Sequence, residues 1–299
     1  MQANFTSGMD TILLPAGTYK LTLPGVDDND QFGDLDISDD LAIEGDGPDQ
    51  TIVDGNGAAT GDRVFHILST AQQTTLSGMT VRNGVTVYNS SVQDAGFGGG
   101  IEQNGGDLNM TNMVIEGNQA SYGGGLTPSF VNGSGTTTLE RVTIRSNQAQ
   151  YGGGGLLIAS TDGFSANLTL KNSLIANNIR HKQGVLFTFQ DDCNGVVNSL
   201  GNNLFQSTDN CMINVVPNDL KNVDPLLGPL GNNGGPTQTQ ALLKGSPAID
   251  AGNPNGCIDF AVIAVTTDQR GFPRPVNGRC DIGAYEYYPE AVHLPLVSR

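Results

Sequence analysis

The chain has no tryptophan, and aromatic residues make up only 6% of its 299 residues. That excludes a thick core of large side chains, because aromatic residues normally supply much of the bulk of such a core. Basic residues are scarce too, with 14 Lys and Arg against 30 Asp and Glu and a formal net charge of −16. A nucleic-acid partner is excluded, since a phosphate backbone needs a positive surface, and an anionic membrane is disfavoured for the same reason. No run of about 18 apolar residues occurs, so no membrane-spanning segment is expected. Three scattered histidines and no GxSxG motif leave Ser/His/Asp catalysis with little support. The glycine runs lack the Lys-Ser/Thr and following helix that phosphate binding requires. Helical periodicity is nearly absent.

Glycine is abundant, at 41 residues, and the 37% hydrophobic content is too high for a disordered chain. The apolar residues must therefore be buried economically, in thin stacked layers. Two nearly identical stretches, NQASYGGGL from Asn118 and NQAQYGGGGL from Asn147, start 29 residues apart. Around them, TTLSGMTVRNG from Thr74, LNMTNMVIEGN from Leu108, TTLERVTIRSN from Thr137 and LTLKNSLIANN from Leu168 align without gaps, at spacings of 34, 29 and 31 residues. Alternation places Leu76, Met110, Leu139 and Leu170 in one inward column of a strand, and Val81, Ile115, Ile144 and Ile175 in another.

Between these columns stand Gly78, Asn112, Arg141 and Asn172, the residue types of a bend with positive φ in three copies of four. Each unit thus reads as strand, bend, strand, and the spacing is that of one solenoid turn. The glycine stretch is a corner returning the chain to the next coil, with Ile101, Leu126 and Leu156 starting a third strand. The outward column Arg82, Glu116, Arg145 and Ala176 is expected on the surface as a weak ladder of alternating charge. Roughly seven coils are expected, stacked at about 4.8 Å per layer. The fold class is all-β, a right-handed parallel β-helix with coils over residues 1–215 and an irregular capping segment over 216–299, packed on the last coils.

Four cysteines form two close pairs, Cys193 with Cys211 and Cys257 with Cys280, each closing a short loop, and no CxxC or His-rich metal spacing is present. Sequential pairing is the expectation among three connectivities. It implies an oxidising compartment and a protein that is extracellular or at the cell surface, exported with its leader absent from this chain.

The stretches NNGGPTQTQALLKGSPAIDAG and DQRGFPRPVNGRCDIGAYE resemble the C-terminal signature of bacterial choice-of-anchor Q domain proteins, of the pectin-lyase-like parallel β-helix superfamily. The GGGL and IxxN coils resemble polymorphic outer-membrane protein repeats. The resemblance spans almost the whole chain and implies an exported or cell-surface protein without implying a defined reaction. Relatives often carry a histidine in a PTxTHAL motif where this chain has Gln240, and an initial Ser-Leu-Arg-Glu-Ala-Ile helix has no counterpart here beyond Gln2-Ala3-Asn4.

Several constellations bear on chemistry. Asp191 and Asp192 in FQDDCNG resemble the paired acids of polygalacturonases, although the other motifs of that family are missing; the alternative is a polar loop beside a disulfide. Arg180, His181 and Lys182 sit at a corner where other copies carry glycine, and are either basic groups facing an acidic glycan, as a lyase would need, or a solvated corner. Asp27, Asp28 and Asp30, with Asp34 and Asp36 following, offer hard oxygen ligands for calcium without an EF-hand pattern. No cofactor is required. Asp250, Asp268, Arg270, Asp281 and Glu286 have residue types that would suit a site, and the preferred reading is a buried salt-bridge network locking the cap. The balance favours a monomeric, non-catalytic protein for adhesion or contact with a polysaccharide or cell-surface glycan, with a polysaccharide lyase or glycoside hydrolase as the alternative.

Overall fold

Residues 8–26, 31–88, 96–129, 135–159, 166–181, 187–214, 216, 218–235, 239–258 and 264–289 are described by a computed structural model of the protein. The aligned segments stack in register. Ile43, Leu76, Met110, Leu139 and Leu170 pair rung by rung in one parallel sheet, and none is more than 2% exposed. The fold is the expected parallel β-helix, with about 2% helix and about five turns. Each buried aliphatic rung removes enough apolar surface to contribute roughly 1.5–3 kcal/mol, so a narrow interior suffices without large aromatics.

One coil has three main limbs and one short one. The first limb has eight layers, from Asp10–Leu14 through Leu41–Gly45 and Gln73–Ser77 to Cys211–Asn214. A bend then turns the chain, and all four predicted bend residues adopt positive φ: Gly78 at 63°, Asn112 at 51°, Arg141 at 53° and Asn172 at 52°. The second limb follows, as in Thr80–Arg82 and Leu174–Ala176. A second left-handed column closes it, formed by Asn83, Gly117, Ser146 and Asn177. The third limb runs from Leu35–Ile37 through Phe65–Ile67, Ile101–Gln103 and Leu126–Pro128 to Leu156–Leu157 and the start of Cys193–Ser199. These six layers enclose five intervals, which are the complete turns; the count of seven included partial coils at the ends.

The stretch taken for a simple corner is more than that. Gln119–Tyr122 and Gln148–Gly152 are strands that pair in parallel with each other, and Ile179–Arg180 continues the ladder. The glycines behind them let backbones meet: a Cβ on Gly124 would stand 2.4 Å from the Gln148 carbonyl oxygen and 2.5 Å from that of Gly154.

The second limb continues to Leu220–Lys221, just past the expected boundary at residue 215. Beyond it, Leu227–Gly231 and Thr239–Leu242 form an antiparallel hairpin. The C-terminal segment does more than pack on the last coils, because it lies along the flank of the second limb. Asp49 N–H donates to the Gln269 carbonyl in an early coil, Ala284 N–H to Thr143 Oγ1 in a middle one, and Asn202 Nδ2 to the Ala251 carbonyl in a late one. Leu174, Ala176 and Leu204 point outward there and form a second apolar core with Leu242, Ala248 and Ile282.

This placement corrects the charge ladder. Glu116 and Arg145 are 8% and 3% exposed and pair at 2.5 Å, while Arg82 turns to Asp54 at 2.9 Å. Leu230 and Gln240 of the hairpin overlie this column, so it is an interior contact between solenoid and flank segment.

The cysteines pair sequentially, Cys193 with Cys211 and Cys257 with Cys280, with Cα–Cα separations of 5.5 Å in both. The first disulfide joins successive layers across 18 residues, a loop length whose closure in the unfolded chain is worth about 3 kcal/mol. Replacing Cys193 and Cys211 together by serine is expected to lower unfolding free energy by about that amount, read from urea denaturation; an unchanged midpoint would show that the stack holds these layers unaided.

Candidate ligand-contact face

The sequence-predicted acids are drawn into the interior. Asp191 and Asp192 are each 1% exposed. Asp192 Oδ1 accepts from Asn178 N–H at 3.2 Å and from Asn178 Nδ2 at 3.0 Å, and its Oδ2 accepts from Ser207 N–H at 2.8 Å. Burial raises its pKa to about 7. Asp191 accepts from Asn210 Nδ2 at 2.9 Å and from Gly153 N–H at 3.1 Å, and burial raises its pKa as well. The Arg180 Nε nitrogen stands 3.6 Å from Asp191 Oδ2.

Asp192 turns out to end a ladder that sequence reasoning missed. Asn118 donates its backbone N–H and Nδ2 to Asn147 Oδ1, both at 3.0 Å, and Asn147 donates the same pair to Asn178 Oδ1 at the same distances. These asparagines open the very stretches that repeat, at fixed spacing, which was the available signal. Asn203 and Asp219 repeat the arrangement lower in the stack, at 3.0 and 3.1 Å. Each run of side-chain amides ends on a carboxylate, an acceptor that needs no further rung below it.

Outside the ladder, the short limb presents a column of rings. Phe97 stacks on Tyr122 with centroids 5.0 Å apart and an interplanar angle of 16°, and Tyr122 packs on Tyr151 at 4.9 Å and 33°. An aromatic residue precedes each glycine run, and Phe97 and Tyr122 are parallel bridge partners, whereas a register shift pairs Tyr122 with Gly152 and sets Tyr151 one residue off. Tyr151 is 46% exposed, and Val87 and Tyr88 nearby are exposed. Beside the rings runs a groove of about 280 Å³ lined by Thr86, Gln119, Ser121, Gln148, Gln150 and His181. Arg180 continues the ladder from Ala149 and stacks over the Phe189 ring at 5.6 Å. Of the predicted basic trio, Arg180 and His181 thus adjoin this face, and Lys182 lies outside the described residues.

A larger concavity, about 690 Å³, opens in the flank segment among Asn232, Asn233, Arg270, Phe272, Tyr285 and Tyr288. Its polar groups are engaged internally. Arg270 pairs with Asp268 at 2.7 Å, donates to Asn233 O and Tyr285 Oη, and lies 3.7 Å from the Tyr285 ring centre. Asp268, Arg270, Asp281 and Glu286 are all buried, with Asp250 at their edge; Arg274, unremarked in the sequence, joins them at 3.2 Å from Glu286.

The calcium candidates Asp27, Asp28 and Asp30 lie outside the described residues. Asp34 and Asp36 are buried together with His66, one ligand atom from each lying within 4.8 Å of the others. Among the described residues no helix is long and apolar enough to cross a membrane. Compared with family models, curated proteins and solved structures, the chain matches none.

Proposed function

We propose that the protein is exported and non-catalytic, acting outside the cell or at its surface by contacting glycans through the aromatic face of the short limb. The observation that carries this reading is the stacked column Phe97, Tyr122 and Tyr151 beside a groove lined with glutamine amides and hydroxyls. Tyr151, at one end of the column and 46% exposed, can offer a ring face to the C–H face of a sugar, with Tyr122 packed behind it, and amides exchange hydrogen bonds with the sugar hydroxyls, the usual division between apolar contact and orienting polar groups. Repetition along the stack suits a repetitive chain, in which weak contacts add. With a net charge of −16, neutral glycans are favoured over polyanions. The two disulfides agree with an oxidising compartment.

A second reading, action on an acidic polysaccharide, draws on His181 lining the groove and on Arg180, next to it in the chain and 3.6 Å from Asp191, whose pKa burial raises. Both are tested by one panel of neutral and acidic polysaccharides, scored for binding, for new reducing ends and for the ultraviolet absorbance of unsaturated uronates. Binding without turnover is expected, weakened at least about tenfold in a Tyr122→Ala, Tyr151→Ala double variant. Binding unaffected by that change would remove the aromatic face from consideration. Turnover lost in His181→Ala would establish the enzymatic reading instead.

A further inference from the structure

The concavity of the flank segment is a second candidate site, built from other residues than the aromatic face and independent of the glycan reading. Two rings meet there at a corner: Phe272 and Tyr288 have centroids 5.7 Å apart and an interplanar angle of 78°. Pro273 and Pro289 add to the apolar lining. The rings are held in place. The Arg270 guanidinium lies 3.7, 4.6 and 5.6 Å from the ring centres of Tyr285, Phe272 and Tyr288, and the Tyr288 hydroxyl donates to the Pro273 carbonyl. A wall fixed in advance has little freedom left to lose when a ligand arrives.

The hydrogen bonds already made decide what such a ligand can be. Arg270 spends every N–H inside the protein: Nε and Nη2 face Asp268, Nη2 also reaches the Glu286 carbonyl, and Nη1 donates to the Asn233 carbonyl and the Tyr285 hydroxyl. An anionic ligand thus finds no free proton on that cation, and the buried carboxylates of Asp268 and Glu286 oppose it. The carbonyls of Asn233 and Pro273 at the wall already accept, from Arg270 and Tyr288. Two donors are left over. Tyr285 Oη accepts from Arg270, and among the described residues its own hydrogen meets no acceptor. Asn232, which is exposed, accepts from Gly234 N–H through Oδ1 and keeps both Nδ2 hydrogens.

A matching ligand combines apolar ring surface with carbonyl acceptors and brings no donor of its own. Sugar hydroxyls fail the last condition, since each carries a proton that needs an acceptor. Proline meets all of it, with an apolar ring and a tertiary amide that has a carbonyl but no N–H. Runs of proline hold the polyproline II helix, whose backbone carbonyls are free of internal hydrogen bonds. About three residues per turn give that helix a triangular section, and its edge fits a corner between rings.

We infer that the concavity binds a proline-rich segment of a partner protein in the polyproline II form. Phe272 and Tyr288 pack on its proline rings, and Tyr285 Oη and Asn232 Nδ2 donate to its carbonyls.

The test is titration calorimetry of the whole protein with acetylated, amidated decaproline, using a glycine–serine decapeptide and cellohexaose as controls. Saturable binding of decaproline alone is expected. Tyr288→Ala should weaken it at least about tenfold. Tyr285→Phe, which keeps the ring, should weaken it about threefold or more, and Asn232→Asp, which keeps the acceptor for Gly234 N–H but exchanges the donor for an acceptor, about tenfold. Asn232 is exposed, so its variant supplies the readout where a ring replacement does not fold. The Tyr122→Ala, Tyr151→Ala double variant should bind decaproline as wild type does, which separates this site from the aromatic face. No saturable binding of decaproline at millimolar concentration, binding unchanged in folded Asn232→Asp, loss of binding in the double variant, or a preference for cellohexaose would each overturn the inference.

Discussion

Asn147→Ala is expected to lower the unfolding free energy by about 3–5 kcal/mol, more than a surface asparagine could account for. Its side chain is fully buried and makes four hydrogen bonds: Oδ1 accepts from the backbone N–H and Nδ2 of Asn118, and Nδ2 donates to Asn178 Oδ1 and to the Ile115 carbonyl at 2.9 Å. Truncation strands the Asn118 N–H and the Ile115 carbonyl in the interior, at about 1–3 kcal/mol each, and leaves a cavity besides. Asn147→Asp separates the ladder from simple packing. Aspartate keeps the upper acceptor but turns a second oxygen toward Asn178 Oδ1 and the Ile115 carbonyl, so at neutral pH it should be at least as harmful as alanine. At the end of the run Asp192 is tolerated because its second oxygen meets the Ser207 N–H. Urea denaturation of both variants at neutral pH checks this, and an Asn147→Asp midpoint equal to wild type would refute the ladder's directionality.

The coils were legible because two signals with different physical origins agree. Period-two alternation gave the inward columns, and residues tolerant of positive φ marked the bends, so that even Arg141, a poor residue for that backbone, was placed correctly by its column. The asparagine ladder was hidden by the same logic, since Asn beside glycine reads as a turn former and its buried amide role appears only once coils are superposed. The charged column Asp36, His66 and Glu102 was harder still. Its members are 30 and 36 residues apart and occupy outward positions, which a solenoid normally gives to solvent. The flank segment carries no period, so its glycines and prolines could say that it leaves the stack but not which face it covers. A faint signal existed in Leu174, an outward leucine where the equivalent positions hold Thr80, Val114 and Thr143.

Stability is expected to fall as pH rises from about 4 to about 7, opposite to the acid lability of proteins held by paired carboxylates. Burial raises Asp49, Asp192 and Asp281 each from 3.8 to about 7. Between those values the folded chain retains protons that the unfolded chain has released, so the stabilisation is complete below the unfolded pKa and is lost as pH climbs through the folded one. The loss levels off above about 7 and amounts to on the order of 2 kcal/mol per group. Asp49 isolates the effect. It is fully buried where the flank segment crosses an early coil, both carboxylate oxygens lack a hydrogen-bond partner, and Asp268 nearby opposes its ionisation while Arg270 only partly offsets that. Asp49→Asn imitates the protonated form, so it should match wild type only below about pH 4, gain on it steadily up to about pH 7, by on the order of 2 kcal/mol between pH 5 and pH 8, and flatten the slope of urea midpoint against pH. Exposed Glu44→Gln removes the same unit of charge from a chain at −16 and controls for general repulsion. If Glu44→Gln flattens the slope as much as Asp49→Asn does, the net charge and not the buried contact beneath the flank segment sets the pH response.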